Sequence, residues 1–358
     1  MGATDTSKKY FTEHLTRWHS TVNNRSLPWK SEKDPYKIWL SEVILQQTRA
    51  QQGLPYYLSF TEAYPTIHDM AAAKDDDAFR IWQGLGYYNR CRNMLATARY
   101  ISGTLKGKFP NSYEELIQLK GVGPYTAAAI ASFAYGQPHA VVDGNVYRVL
   151  ARYFGIETPF DTTEGKKAFS ALAQELLAKK DTAAYNQAIM DLGATVCTPR
   201  NPVCNDCPLQ KKCIAYHDGV IELLPVKSKK VTVRKRYFHY LLLHWKDTIW
   251  IHKRPGGDIW EDLHEPYLIE NESPLSIKEL IKHPKFKETD LNFSEIKNVG
   301  NSTQRLTHQL INAHFFSVTL TKKPTLKKEK GTWSDINALK KIAFPKTLVS
   351  FLEKNLYF

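Results

Sequence analysis

Four of the five cysteines in this 358-residue chain fall close together, as Cys197-x6-Cys204-x2-Cys207-x5-Cys213. Such density in a chain without a secretory start points to metal binding rather than to a disulfide framework. Four thiolates can hold zinc or a [4Fe-4S] cluster, and ligand chemistry alone does not separate the two. The 6-2-5 spacing differs from that of paired C-x2-C zinc knuckles. The fifth cysteine, Cys91, stands apart in a helical stretch and reads as a small buried apolar residue.

Two acids stand where they could act on a bond. Glu42 lies in Tyr36-Lys37-Ile38-Trp39-Leu40-Ser41-Glu42-Val43-Ile44-Leu45-Gln46-Gln47-Thr48. On a helix its neighbours three and four residues away are Ile38, Trp39, Leu45 and Gln46, so its carboxyl shares a mostly apolar face. Desolvation there raises a carboxyl pKa, and an acid that keeps its proton near neutrality is a usable general acid. The alternative is that Glu42 points to water from an otherwise buried helix. Asp143 opens Asp143-Gly144-Asn145-Val146-Tyr147-Arg148-Val149-Leu150, an amphipathic run, and is placed to cap a helix. Upstream, Leu119-Lys120-Gly121-Val122-Gly123-Pro124-Tyr125 has a helix end, a Gly-x-Gly hairpin and a proline in the first turn of the next helix. The glycines let backbone N–H groups point outward, and with the helix N-terminus they offer a seat for a phosphate oxygen.

The elements that must position these residues change character along the chain. The first 215 or so residues show helical apolar spacing, with segments over 34–48, 113–119, 125–135, 146–154 and 166–177. After Leu224-Pro225 the pattern turns to strands: 237–243 and 249–251 form a hairpin around Lys246-Asp247, and 313–320 forms a further strand. The expected architecture is a mainly α domain over residues 8–216, a basic linker over 217–235, and a smaller mixed α/β domain over 236–358.

These motifs together resemble the adenine DNA glycosylases of the MutY type, within the helix–hairpin–helix iron–sulfur glycosylase superfamily. The resemblance is strong over about residues 10–215 and weaker beyond. It implies a helix–hairpin–helix glycosylase domain whose loop 197–213 binds a [4Fe-4S] cluster through Cys197, Cys204, Cys207 and Cys213, followed by a nudix-like domain. It implies that Glu42 protonates the departing base and Asp143 stabilises the sugar cation on a retaining path, with Tyr125 and Asn145 assisting. Two groups are wanted because adenine is a poor leaving anion and the deoxyribose is left positive. Gln47 is then an intercalating residue, Tyr87 in Gly84-Leu85-Gly86-Tyr87-Tyr88-Asn89-Arg90 a stacking wedge, and Arg25 with Trp29 part of the base pocket. Gly121, Val122 and Gly123 meet the DNA backbone. Where bifunctional relatives of the endonuclease III type carry a lysine, this chain has Tyr125, which cannot form a Schiff base. A monofunctional enzyme on adenine opposite 8-oxoguanine or guanine in duplex DNA is therefore expected. The alternatives are a pyrimidine-lesion glycosylase/lyase and a non-catalytic DNA-binding iron–sulfur protein.

The second domain departs from the family pattern. Trp260-Glu261-Asp262-Leu263-His264-Glu265 stands where Trp-x-Gly-Leu-Trp-Glu is common, and the lesion-reading Phe-Ser-His loop is represented by Leu306-Thr307-His308. The metal-binding helix of nucleotide-diphosphate hydrolases is missing from the sequence, so that activity is not expected. Residues 1–225 carry 25 basic and 22 acidic groups, whereas 226–358 carry 24 and 14. The excess lies in the second part, which suits a polyanionic partner. At 42% hydrophobic and 24% charged, the composition excludes a disordered or low-complexity chain. No apolar run reaches the length of a membrane span, and an intracellular monomer working on DNA is expected.

Overall fold

The computed structural model describes residues 4–178, 180–228, 232–324, 326 and 330–355. Contacts divide the chain into two units, 1–71 with 96–229, and 72–95 with 230–358. In chain order the helices up to the strand-rich part are α1 (Asp5–Thr21), α2 (Pro35–Leu45), α3 (Ala50–Ala63), α4 (Ile67–Ala72), α5 (Asp75–Trp82), α6 (Asn89–Gly103), α7 (Tyr113–Leu116), α8 (Pro124–Tyr135), α9 (Gly144–Phe154), α10 (Thr163–Leu176), α11 (Thr182–Thr195) and α12 (Ile214–His217). The segment carrying α5 and the start of α6 belongs to the second unit.

The first unit is helical because its apolar residues recur at helical spacing and its ends are capped. Asp34 accepts from Tyr36 N ahead of α2, and Thr162 accepts from Gly165 N ahead of α10. Helix α2 is buried on every side from Ile38 to Ile44 and packs on α3 and α8, as a helix apolar all round must. A second core joins Phe11 and Leu15 of α1, Val149 and Phe154 of α9, and Ile189 and Leu192 of α11.

The second unit is built on a seven-stranded sheet of β1 (Arg234–Trp245), β2 (Thr248–Lys253), β3 (His264–Glu265), β4 (Tyr267–Asn271), β5 (Phe293–Arg305), β6 (Gln309–Leu320) and β7 (Gly331–Asp335). The order is β3-β2-β1-β6-β5, with β4 added to β1 and β7 to β2. Strand β1 runs parallel to β6, in register Phe238 with Ala313, and is buried without interruption from Phe238 to Leu243. That continuous run reflects cover on both faces. One face packs Leu241, Phe316 and Val318 against Leu280 and Phe286, from helices α13 (Ile277–Lys282) and α14 (Pro284–Lys287). The other carries Phe315, which stacks on Phe351 of α15 (Lys346–Lys354) at 3.8 Å.

Several boundaries differ from those read in the sequence. The helix expected over 34–48 ends at Leu45, because Gln46 turns extended and Gln47 takes the left-handed conformation at φ 55°. The helix expected over 113–119 is only the single turn α7. The basic linker expected to run to residue 235 yields to β1 from Arg234, whose N–H donates to His308 O. Arg236, read with that basic run, is buried and paired with Asp258 and Glu270. Lys229 and Lys230 of the run lie outside the described residues. The hairpin turn falls at Lys246-Asp247 as expected, with Lys246 left-handed at φ 51°. Among the described residues no helix is long and apolar enough to cross a membrane.

Two helix ends offer a controlled comparison. Gly136 and Gly155 both end helices at φ 65°, but a Cβ on Gly136 would meet open space, whereas one on Gly155 would lie 2.6 Å from Ile214. Gly136→Ala is expected to lose about 1 kcal/mol to the left-handed backbone alone. Gly155→Ala should lose measurably more in urea denaturation, because Ile214 must move as well.

Candidate active site

The buried helix α2 carries Glu42 inward, 5% exposed, and the hairpin brings Tyr125 on α8 against it. The Tyr125 hydroxyl donates to Glu42 Oε2 at 2.7 Å. Burial pushes the Glu42 pKa up from 4.5 to about 7, Tyr125 opposes this through its hydrogen bond, and the nearby charge of Asp143 adds to it. The outward-pointing alternative for Glu42 is thereby excluded. At neutral pH this carboxyl is a proton donor in an apolar setting.

Asp143 caps α9, accepting from Val146 N at 2.8 Å and from Asn145 Nδ2 at 2.7 Å. Burial raises its pKa, against the pull of these donors and of Arg148, which favour the ionised form. The two carboxyls are close enough for each other's charge to be felt at Tyr125 as well. Glu42, Tyr125, Asp143 and Asn145 are thus brought together from three helices that are far apart in sequence.

The sequence reading missed what holds Asp143 and Asn145 in place. Arg148, buried one turn into α9, donates to Asn145 Oδ1 at 2.8 Å, to Gly193 O at 2.6 Å and to Cys197 O at 2.7 Å. Helix α11 approaches so closely here that a Cβ on Gly193 would stand 2.6 Å from Asn145 Cβ. Two arginines four positions apart on the helix that follows Asp143, on the same face as Asn145, were the available signal.

The four cysteines line one pocket open to solvent, together with Arg152 and Gln210. Arg152, one turn beyond Arg148, donates to Cys197 Sγ at 3.5 Å and to Thr198 O at 2.7 Å, which docks the loop onto α9. Burial, with mutual repulsion among the thiols, pushes Cys207 up to about 12 and Cys213 to about 11. Four thiolates can share this pocket only around a cationic group, and a donor set of four sulfurs fits such a group. Among the described residues, no three His, Cys, Asp or Glu side chains converge on a point suited to a single ion. Cys91 is fully buried, as expected.

The remaining candidates divide. Gln47 is exposed in its left-handed turn. Beside it Gln46 donates to Thr126 at 3.2 Å. Arg25 ion-pairs with Asp191 at 2.8 Å, and Lys30 reaches the same carboxylate at 2.5 Å. The fully buried Asp191 thereby fixes this segment, a role the sequence reading did not see. Trp29 is buried edge-on against Tyr57. In the hairpin, Gly121 is left-handed at φ 79° and Gly123 caps α8. Val122 departs from the expectation of outward N–H groups, since its own is taken by Leu119 O at 3.0 Å. In the second unit Tyr87 is half-exposed and left-handed at φ 49°, unlike its buried neighbour Tyr88. Its hydroxyl meets that of Thr307, beside the exposed His308 in the tight β5–β6 turn closed by Leu306 N to Gln309 O.

Comparisons with known proteins agree with this geometry. Residues 40–179 match the family model of HhH-GPD superfamily base excision DNA repair proteins, and residues 239–354 match that of the NUDIX domain. The adenine DNA glycosylase of Buchnera aphidicola subsp. Schizaphis graminum is 32% identical over 348 residues, 96% of this chain and 98% of its own. That of Mus musculus is 41% identical over 227 residues, 60% of this chain and 44% of its own. A solved thermostable thymine-DNA glycosylase superposes with a TM-score of 0.56 at 29% identity, over 61% of this chain and all of its own. An endonuclease III–DNA complex, at 21% identity and a TM-score of 0.53 over 60% of this chain and 98% of its own, shares the fold. A likeness that runs nearly end to end, over a fold that brings an acid pair together behind a helical hairpin, places this chain in the adenine DNA glycosylase family of base excision repair hydrolases.

Proposed function

We propose that this protein releases adenine mispaired with 8-oxoguanine or guanine in duplex DNA, leaving an abasic site. The observation that carries the reading is a carboxyl poised near neutrality, Glu42, hydrogen-bonded to Tyr125 and within the field of Asp143. The target nucleotide is extruded from the duplex, because its glycosidic bond cannot be reached inside the stack. Glu42 gives its proton to a ring nitrogen of adenine, and the C1′–N9 bond breaks with its electron pair leaving on the base. The positive sugar forms beside the Asp143 carboxylate, held by Asn145 and Val146 N. Water then adds at C1′ and returns a proton to Glu42. Tyr125 orients Glu42 and, lacking an amine, supports hydrolysis without lyase chemistry.

Gln47 and Tyr87, both exposed and both left-handed, serve as wedges that offset the cost of extrusion. Gly121 and Gly123 offer backbone donors to a phosphate. Arg25 and Trp29, fixed by Asp191 and Tyr57, wall the base pocket, and Leu306, Thr307 and His308 read the base opposite. Cys197, Cys204, Cys207 and Cys213 hold a [4Fe-4S] cluster, which anchors the loop after α11 to α9. The protein acts as a monomer inside the cell.

Single-turnover base release tests the acid pair. Glu42→Gln should lower the rate by at least about 100-fold, and Asp143→Asn by a similar factor. The wild-type rate at subsaturating DNA should fall as pH rises through about 7, where Glu42 loses its proton.

The same titration has a stability counterpart. Because the folded-state pKa is raised above 4.5, Glu42 is tolerated at low pH and becomes a burden as pH rises through about 7. Glu42→Gln should therefore be more stable than wild type at pH 8.5, by on the order of 3 kcal/mol, and should show no such gain near pH 4.5. Unchanged denaturation midpoints at both pH values would remove the case for a buried neutral acid.

Replacing Thr307 and His308 together by alanine should erode the preference for adenine opposite 8-oxoguanine over adenine opposite guanine. Metal analysis of the purified protein should find about four irons per chain with matching sulfide, and Cys207→Ala should lose them. A single zinc would overturn the cluster.

A further inference from the structure

The segment 72–95, although inside the span matched by the helix–hairpin–helix family model, packs with the sheet-bearing unit. One side chain makes a cluster of polar contacts there. Arg92, in the first turn of α6, donates to Glu261 O at 2.5 Å, and its guanidinium also lies 3.1 Å from Glu261 Oε2 and 3.3 Å from Asp262 Oδ2. It meets Asn89 Oδ1 at the start of its own helix as well. Lys253 also pairs with Asp76, both about half exposed, where water screens the pair. Gln83 accepts from Phe344 N at 3.3 Å.

The turn that Arg92 grips is strained. Trp260 and Asp262 both lie in the left-handed region, at φ 61° and 65°. A tryptophan there is held against its preference, a strain that persists only where the surroundings fix it. They do so here: Asp262 N donates to Arg254 O, Leu263 N to Trp260 O, and the Trp260 ring packs edge-on against Phe238. Arg92, five residues after Tyr87, thereby ties the start of α6 to the 260–262 turn. The α6 side carries Tyr87, whose left-handed backbone precedes Asn89 by two positions. The sheet side carries Thr307, which hydrogen-bonds to Tyr87.

We propose that Arg92 is a positioning residue for lesion discrimination, clamping the 260–262 turn to the start of α6 so that Tyr87 and Thr307 face the DNA as one rigid reader. The inference rests on the reading of Tyr87 and Thr307 given above. A flexible reader would contact 8-oxoguanine and guanine alike, whereas a fixed one rejects the base lacking the matching polar group.

The test is single-turnover adenine release by the full chain, on duplexes with adenine opposite 8-oxoguanine and opposite guanine. Arg92→Gln should lower the ratio of the two rates by about tenfold, since a misplacement of about 1 Å can cost on the order of 100-fold. Arg92→Lys, which keeps the charge but reaches fewer acceptors, should fall between. Asp262→Gly removes one acceptor while relieving the backbone, so it should fold well and still lower the ratio. It carries the test if Arg92→Gln fails to fold. A ratio unchanged in Arg92→Gln and Asp262→Gly, but lowered in Tyr87→Ala and Thr307→Ala, overturns the clamp and leaves the reader intact. A ratio unchanged in all of these variants overturns the reader itself, and the clamp with it.

Discussion

A carboxyl cannot keep its proton near neutral pH while water solvates it, and the first unit is arranged around that constraint. Removing water from Glu42 requires a helix with no wet side, which is why α2 is apolar almost throughout and is enclosed by α3 and α8. The same enclosure raises the pKa of Asp143 and makes its hydrogen bonds necessary. The hairpin before α8 then has two consequences at once. It delivers Tyr125 to Glu42, and it leaves Gly121 exposed at the surface where a duplex can approach.

Helix α9 is the second organising element. Its first residue follows the Asp143 cap, its next turn presents Arg148, and one turn further Arg152 wraps the start of the cysteine loop. Both arginines are buried, and both reach Cys197, one at its carbonyl and the other at its sulfur. Such cations are tolerated inside because backbone carbonyls take nearly all of their donors. The close contact at Gly193 completes the arrangement, since only a residue without a side chain lets α11 lie against Asn145.

Much of this was legible in the sequence, for identifiable reasons. Glu42 was readable because helical spacing alone put apolar neighbours around it, and Asp143 because an acid before an amphipathic run is a cap. The gathering of the four cysteines in one pocket and the left-handed Gly121 of the hairpin were announced by local spacing, without tertiary information. Arg148, Arg152, Gly193 and Asp191 were not readable, because each owes its role to a partner far away in sequence. Arg236 misled for the same reason. In sequence it belongs to a basic run, and only the fold shows Asp258 and Glu270 closing on it. Asp262 shows a further limit: its φ of 65° lies in the left-handed region that favours glycine, which an aspartate in sequence does not announce.

The pairing of Arg236 and Arg254 has an electrical consequence beyond the sheet. Between them they engage Asp258, Glu265 and Glu270, three of the fourteen acids in residues 226–358, while using only two of the twenty-four bases. Within residues 226–358 the remaining cations outnumber the remaining anions two to one, so this pairing leaves the stretch more electropositive than its composition alone implies. Long-range attraction toward a phosphate lattice is therefore set partly by which acids these two arginines already engage.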